Sequence, residues 1–237
     1  MACILNIETS GKACSVALTK DGVVENLLED HEGMAHAKRL APFVEKCLEE
    51  ALRRGWTLDA VAVSAGPGSY TGLRIGLSLA KGVCFAQDIP LITLSTLEIL
   101  AVKAMFRSME WEGDEIIVPM IDARRMEVYT AAYDFALNPL LQPAPLILDE
   151  ESYSGLPSDR RLIFIGDGAG KARDVIGREG SVWYTDVEIL ASDMTALSER
   201  AFRNGDFADL AYSVPEYLKE YQAIVGQNRV LDKARRQ

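Results

Sequence analysis

Two stretches of the chain gather residue types that can do chemistry. The first is Val61-Ala62-Val63-Ser64-Ala65-Gly66-Pro67-Gly68-Ser69-Tyr70-Thr71-Gly72-Leu73-Arg74-Ile75-Gly76. Its small apolar start reads as a buried strand, Gly66, Pro67 and Gly68 force a tight turn, and Thr71 is placed to cap a helix over 72–87. A strand, a glycine turn and a helix N-terminus present backbone N–H groups to an anion, which here would meet Gly66, Gly68, Ser69 and Thr71. The same geometry also serves as a sharp loop with no ligand. The second stretch is Asp122-Ala123-Arg124-Arg125-Met126-Glu127. It reads either as a catalytic charge cluster or as an ion-pair network that fixes the end of a strand.

Several familiar chemistries do not fit. A dinucleotide fingerprint needs its third glycine where Thr71 stands, and Gly72 comes one residue late. The later cluster Gly166-Asp167-Gly168-Ala169-Gly170-Lys171-Ala172 lacks the P-loop glycine at Ile165 and the magnesium-binding hydroxyl at Ala172. It reads instead as a strand over 162–165 turning into a short helix. No G-x-S-x-G elbow surrounds Ser69. The chain has only two histidines, His31 and His36. Five residues apart, they would stand about 140° apart on a helix, against about 40° for zinc-binding pairs four apart. A polar start to the helix near Ala35 is the expected role.

The elements that must position these residues follow from periodicity. Stretches 3–8, 13–19 and 23–29 alternate around turns at Gly11-Lys12 and Lys20-Asp21-Gly22, giving three hairpin-connected strands. A helix over 35–54 carries Leu40, Phe43, Val44, Cys47, Leu48, Ala51 and Leu52 on one face, with a kink expected at Pro42. After the glycine loop and its helix come a strand over 90–94 and a helix opened by a capping box, Ser95-Thr96-Leu97-Glu98. A second set has strands near 116–121, 126–134, 144–148 and 162–165 and helices near 168–177 and 193–203. Asn138, Pro139, Pro143 and Pro145 are expected to mark loops. Antiparallel strands followed by strand–helix alternation indicate α/β architecture. No short-period repeat is visible.

Composition bounds the function. The 237 residues, 49% hydrophobic, suffice for one large or two modest lobes. A net charge of −10 argues against a protein that grips a phosphate backbone broadly, because that affinity comes from lysine and arginine. The basic run Arg229, Lys233, Arg235 and Arg236 is expected to be a solvated end. No apolar stretch approaches the roughly 20 residues needed to span a bilayer, and the N-terminus goes straight into a strand rather than a signal peptide. A cytoplasmic location is therefore expected. Cys3, Cys14, Cys47 and Cys84 form no C-x-x-C pair and are expected to be buried thiols.

The glycine stretch, continued by Leu79-Ala80-Lys81-Gly82, resembles the signature of the TsaB (YeaZ) family. Three further stretches resemble that family: Ile4 to Ser10 with Cys14 to Leu18, Asp122 to Tyr129, and Glu216-Tyr217-Leu218-Lys219. The resemblance covers about residues 3–225. It implies an α/β, actin-like ATPase (ASKHA) fold of two lobes, 1–108 and 109–237, without an intact catalytic site. It implies a non-catalytic subunit that supports TsaD, with the ATPase TsaE, in transferring a threonylcarbamoyl group to adenosine 37 of ANN-decoding tRNAs. No cofactor is expected on the isolated chain; ATP and metal are expected on the partner subunits, and tRNA is met through the complex. The two metal-binding histidines of the catalytic relative TsaD correspond here to Thr96 and Leu100. Glu8 stands where the family carries Asp, and its longer side chain argues against magnesium-nucleotide binding there. The alternative is a stand-alone actin-like ATPase, kinase or peptidase.

The helix over 71–87 bears on this choice. Its apolar arc spans roughly 220°, whereas burying one face against a sheet needs only about 100°. Either the helix over 35–54 covers the excess, or a subunit does. Gly72, Gly76 and Ala80, four apart, would let another helix approach closely. In the resembled family these two helices pair with TsaD or with a second copy in a homodimer. The interface expected from that resemblance is Leu40, Phe43, Val44, Cys47, Gly72, Ile75, Gly76, Leu79, Ala80 and Val83.

Overall fold

A computed structural model describes residues 2–33, 36–108 and 110–219. The first sheet is built from β1 (Cys3–Glu8), β2 (Cys14–Lys20), β3 (Val23–Asp30), β4 (Ala60–Gly66) and β5 (Leu91–Ser95), in the order β3-β2-β1-β4-β5. The second holds β6 (Ile116–Asp122), β7 (Glu127–Tyr133), β8 (Pro139–Ile147), β9 (Leu162–Gly166) and β10 (Val182–Thr185), in the order β10-β9-β6-β7-β8. Read from its other edge, the second sheet repeats the first: an antiparallel three-strand meander, then two parallel strands on the far side. This repeat is one of topology, and the sequence carries no visible trace of it.

The two glycine turns occupy equivalent places in that repeat. Gly66 ends β4 with φ +121° and Gly166 ends β9 with φ +124°. A Cβ there would lie 2.5 Å from the Glu216 carbonyl oxygen and 2.1 Å from that of Met120. Each glycine therefore permits both the backbone angle and the close approach. After Gly166 the chain enters the short helix α4 (Ala169–Arg173), so this second cluster is a strand-to-helix turn.

The helices are α1 (His36–Arg53), running without a break through Pro42, α2 (Tyr70–Gln87) and α3 (Thr96–Met105), and, near the end, α5 (Thr195–Asn204), preceded by a 3-10 turn at Ala191–Met194. One core packs α1 and α2 on the outer face of the first sheet, from Leu5, Ile7, Val16, Leu18, Leu40 and Leu77 among others. A second lies between the sheets, where α3 contributes Leu97, Ile99 and Leu100 against Ile4, Ile117 and Ile163. A third backs the second sheet, with Phe164 stacked on Trp183 at 4.0 Å. The chain beyond residue 190 returns to the first sheet: the Ala191 N–H donates to Ser15 Oγ at 2.9 Å and the Ala208 N–H to the Leu91 carbonyl at 2.8 Å.

Three expectations need correction. Pro139, Pro143 and Pro145 lie inside β8 rather than in loops, because β8 is an edge strand whose outer side needs no N–H donors. The capping box at Ser95 is not formed: Ser95 precedes α3 without a side-chain cap bond, and Glu98 faces Arg200 at 3.8 Å. The short strand β10, which lacks clear alternation, was not expected at all. The four cysteines are buried and unpaired, as expected, and burial raises each thiol pKa to about 11. No helix among the described residues is long and apolar enough to cross a membrane. The basic run Arg229 to Arg236 and the helix start at Ala35 lie outside the described residues.

Candidate functional site

The glycine loop packs against the end of β1. The cap of α2 is Ser69, not Thr71: Ser69 Oγ accepts the Gly72 N–H at 3.2 Å, while exposed Thr71 lies in the first turn. The Ser69 N–H donates to the Ser10 carbonyl at 2.6 Å, and Thr9 Oγ1 donates to the Gly72 carbonyl at 2.9 Å. A Cβ on Gly68 would meet the Ser10 oxygen at 2.5 Å, one on Gly72 the Thr9 oxygen at 2.0 Å, and one on Gly76 Thr9 Oγ1 at 2.2 Å. The glycines thus admit the chain's own Thr9 and Ser10, which follow β1. The approaching partner of Gly72 and Gly76 is this segment, not another subunit.

A C-terminal strap, residues 214–219, closes the loop from the other side. The Glu216 N–H donates to the Ala65 carbonyl at 2.7 Å. Arg74 lies 4.0 Å over the Tyr70 ring and donates to Tyr217 Oη at 2.9 Å, and the two tyrosine rings sit 5.1 Å apart. Leu218 packs into the core between the sheets, and Lys81 Nζ donates to the Ala211 and Ser213 carbonyls, each at 3.0 Å. This strap is what inspection of the sequence missed. Its signal was the Glu216-to-Lys219 motif, whose partner residues lie far away in the chain.

Beneath loop and strap lies Glu8, with no exposed surface. Its Oε1 accepts the Ser10 N–H at 2.5 Å, and its Oε2 has no partner. Burial raises its pKa to about 7, which the Ser10 and Ser64 groups beside it offset only in part. The acid is thus enclosed between the sheets, and Gly66, Gly68 and Gly72 face backbone carbonyl oxygens. Thr96 and Leu100 are both buried between the sheets. His31 Nδ1 meets Glu188 at 2.6 Å and His36 Nε2 meets the Ala13 carbonyl at 3.2 Å, so the two rings serve different partners.

The outer surfaces of α1 and α2 divide the expected interface in two. Leu40, Val44, Cys47, Gly72, Gly76 and Ala80 are buried within the chain. Their expected outward placement is corrected, because the sheet beneath consumes that sector of each helix. Phe43, Ile75, Leu79 and Val83 remain partly open. Leu79 and Val83 line a groove of about 990 Å³ between the helices with Pro42, Leu48, Leu52 and Trp56. Leu52 is 80% exposed. A second groove, about 960 Å³, holds two polar contacts: Lys103 meets Asp193 at 2.6 Å, and Glu199 accepts the Gly22 N–H at 3.0 Å.

The charged stretch forms the exposed turn between β6 and β7, and it is not a network among its own members. Asp122 pairs with Lys171, and Glu127 with Lys219 at 2.7 Å.

The family model described as "TsaD: tRNA N6-adenosine threonylcarbamoyltransferase" matches residues 29–227. The chain is 31% identical to the "tRNA threonylcarbamoyladenosine biosynthesis protein TsaB" of Bacillus subtilis, over 93% of this chain and 95% of that one. It is 31% identical to the protein of the same name from Escherichia coli, over 91% and 94%. The solved structure described as YeaZ from Pseudomonas aeruginosa superposes with a TM-score of 0.77 at 30% identity, covering 92% of this chain and 100% of that one. The repeated sheet order and these likenesses define an actin-like α/β protein. Within that class, the chain belongs to the TsaB (YeaZ) family.

Proposed function

We propose that this chain is a non-catalytic subunit of the machinery that makes threonylcarbamoyladenosine in tRNA. It binds TsaD, together with TsaE, and supports transfer of the threonylcarbamoyl group to adenosine 37 of ANN-decoding tRNAs. ATP and metal belong to the partner subunits. The observation that carries this reading is the open apolar groove between α1 and α2, with Leu52, Leu79 and Val83 at its surface. Contiguous exposed apolar surface of this kind marks interaction sites. The names of the relatives support the pathway, and the sealed carboxyl of Glu8 supports a role other than nucleotide chemistry. Without TsaD, the same groove closes on a second copy of the chain.

Leu79→Glu, Val83→Glu and Leu52→Glu test this, because each places an unpaired charge in the contact; Leu52 stands clear of the chain's own core, whereas Leu79 and Val83 pack partly against it. Each is expected to weaken TsaD binding in a pull-down or calorimetric titration by at least about tenfold. The melting temperature of Leu52→Glu should stay within about 3 °C of the parent, and circular dichroism should show that the other two variants still fold. Folded variants at all three positions that bind TsaD as the parent does would remove this surface from the assembly.

A further inference from the structure

The β6–β7 turn carries two arginines that the fold does not use. Arg124 has φ +69° and Arg125 φ +52°, consecutive left-handed residues at positions where glycine or asparagine would be strained less. Both side chains are exposed, and neither guanidinium makes a hydrogen bond or ion pair among the described residues. Every acid around them is already engaged. Asp122 takes Lys171, Glu127 takes Lys219, and Asp167 Oδ1 accepts the Asp122 N–H at 2.8 Å. Lys171 Nζ, reaching from α4, also donates to the carbonyls of Arg125 at 2.8 Å and Glu127 at 2.5 Å. The turn's backbone is thus pinned by Asp167 and Lys171, Lys219 holds the Glu127 carboxylate, and the two guanidinium forks stand free at the tip.

We propose that Arg124 and Arg125 form a preorganised contact for phosphate groups of an RNA backbone. In the assembly proposed above, on which this inference rests, that RNA is the tRNA being modified. Guanidinium forks match phosphate oxygens in charge and geometry, and a turn already fixed loses little entropy on binding. A net charge of −10 argues against a broad grip on a phosphate backbone by this chain, so the turn is one arm of a site whose remainder lies on the partner.

The test compares the parent chain with an Arg124→Gly, Arg125→Gly double variant, since glycine accepts both positive φ angles and keeps the turn. TsaD association is read first, without RNA, so a failure of the subunit reading shows there. Fluorescence anisotropy then follows a labelled ANN-decoding tRNA transcript titrated with the complex, and with the chain alone, from about 50 to about 200 mM salt. The variant should bind about tenfold more weakly, with a log–log salt slope shallower by about 1.5, the loss of two phosphate contacts. An Arg124→Lys, Arg125→Lys variant should recover most of the slope, because the contact is chiefly one of charge. Unchanged affinity and slope in the glycine variant would overturn the proposal. Weakened TsaD association with an unchanged RNA slope would also overturn it, by showing that the turn docks on protein.

Discussion

Glu8 ends β1 with no exposed surface, beside Ser10, Ser64 and Asp193. The unfolded carboxyl titrates near 4.5 and the folded one near 7, so between those values the folded chain holds the extra proton. Stability is then greatest on the acid side of this window and falls as pH rises through it. The whole difference is worth on the order of 3 kcal/mol. Glu8→Gln keeps the shape and removes the titration, so its stability should vary less with pH than the parent's between about pH 4.5 and 7. Urea unfolding at several pH values in that range measures this. Parallel curves for parent and variant would show that Glu8 does not titrate there.

At the scale of elements, the strap 214–219 is held by few groups: one backbone hydrogen bond to Ala65, the Arg74–Tyr217 clamp, Leu218 in the core and the Lys219–Glu127 pair. Segments with so few buried contacts open well below the global unfolding energy. Tyr217→Ala removes the ring that Tyr70 and Arg74 grip, a loss of roughly 1 kcal/mol. Amide exchange at Glu216 should accelerate about fivefold in this variant, while amides of β1 keep their protection. Unchanged exchange at Glu216 would mean that backbone and Leu218 hold the strap alone. The edge strand β8 shows a related economy: its three prolines withhold N–H groups from the open side, which blunts pairing with another chain.

For the molecule as a whole, the core between the sheets is shared. Ile4, Ala62 and Ile92 of the first sheet meet Ile117 and Ile163 of the second through α3, and Met194 and Leu197 close it. Neither sheet keeps this face covered once the other leaves. The described chain should therefore unfold in one cooperative step. Trp56 reports on the α1–α2 side and Trp183 on the far side of the second sheet. Variants retaining only one of these tryptophans should share a urea midpoint within about 0.3 M. Midpoints separated by more than that would show that the two sheets unfold independently.

Much of the local structure was legible from the chain alone. The first three strands, the glycine turn, α1 and α2 follow from alternation, helical spacing and Gly-Pro-Gly punctuation, all set by neighbouring residues. The wheel of α2 gave the width of its apolar arc but not which sector is covered, and so Gly72, Gly76 and Ala80, expected at an interface, lie inside. That sector is chosen by Thr9, more than 60 residues away, whose carbonyl demands the glycine at 72 and whose hydroxyl demands the one at 76. Likewise, Asp122 to Glu127 announced a charged turn, while the pairing of its acids with Lys171 and Lys219 spans 49 and 92 residues. Periodicity reports the angular spread of side chains about their own element. Which of those side chains finds a partner depends on segments that meet only when the chain folds, and that step leaves Arg124 and Arg125 free and Glu8 enclosed.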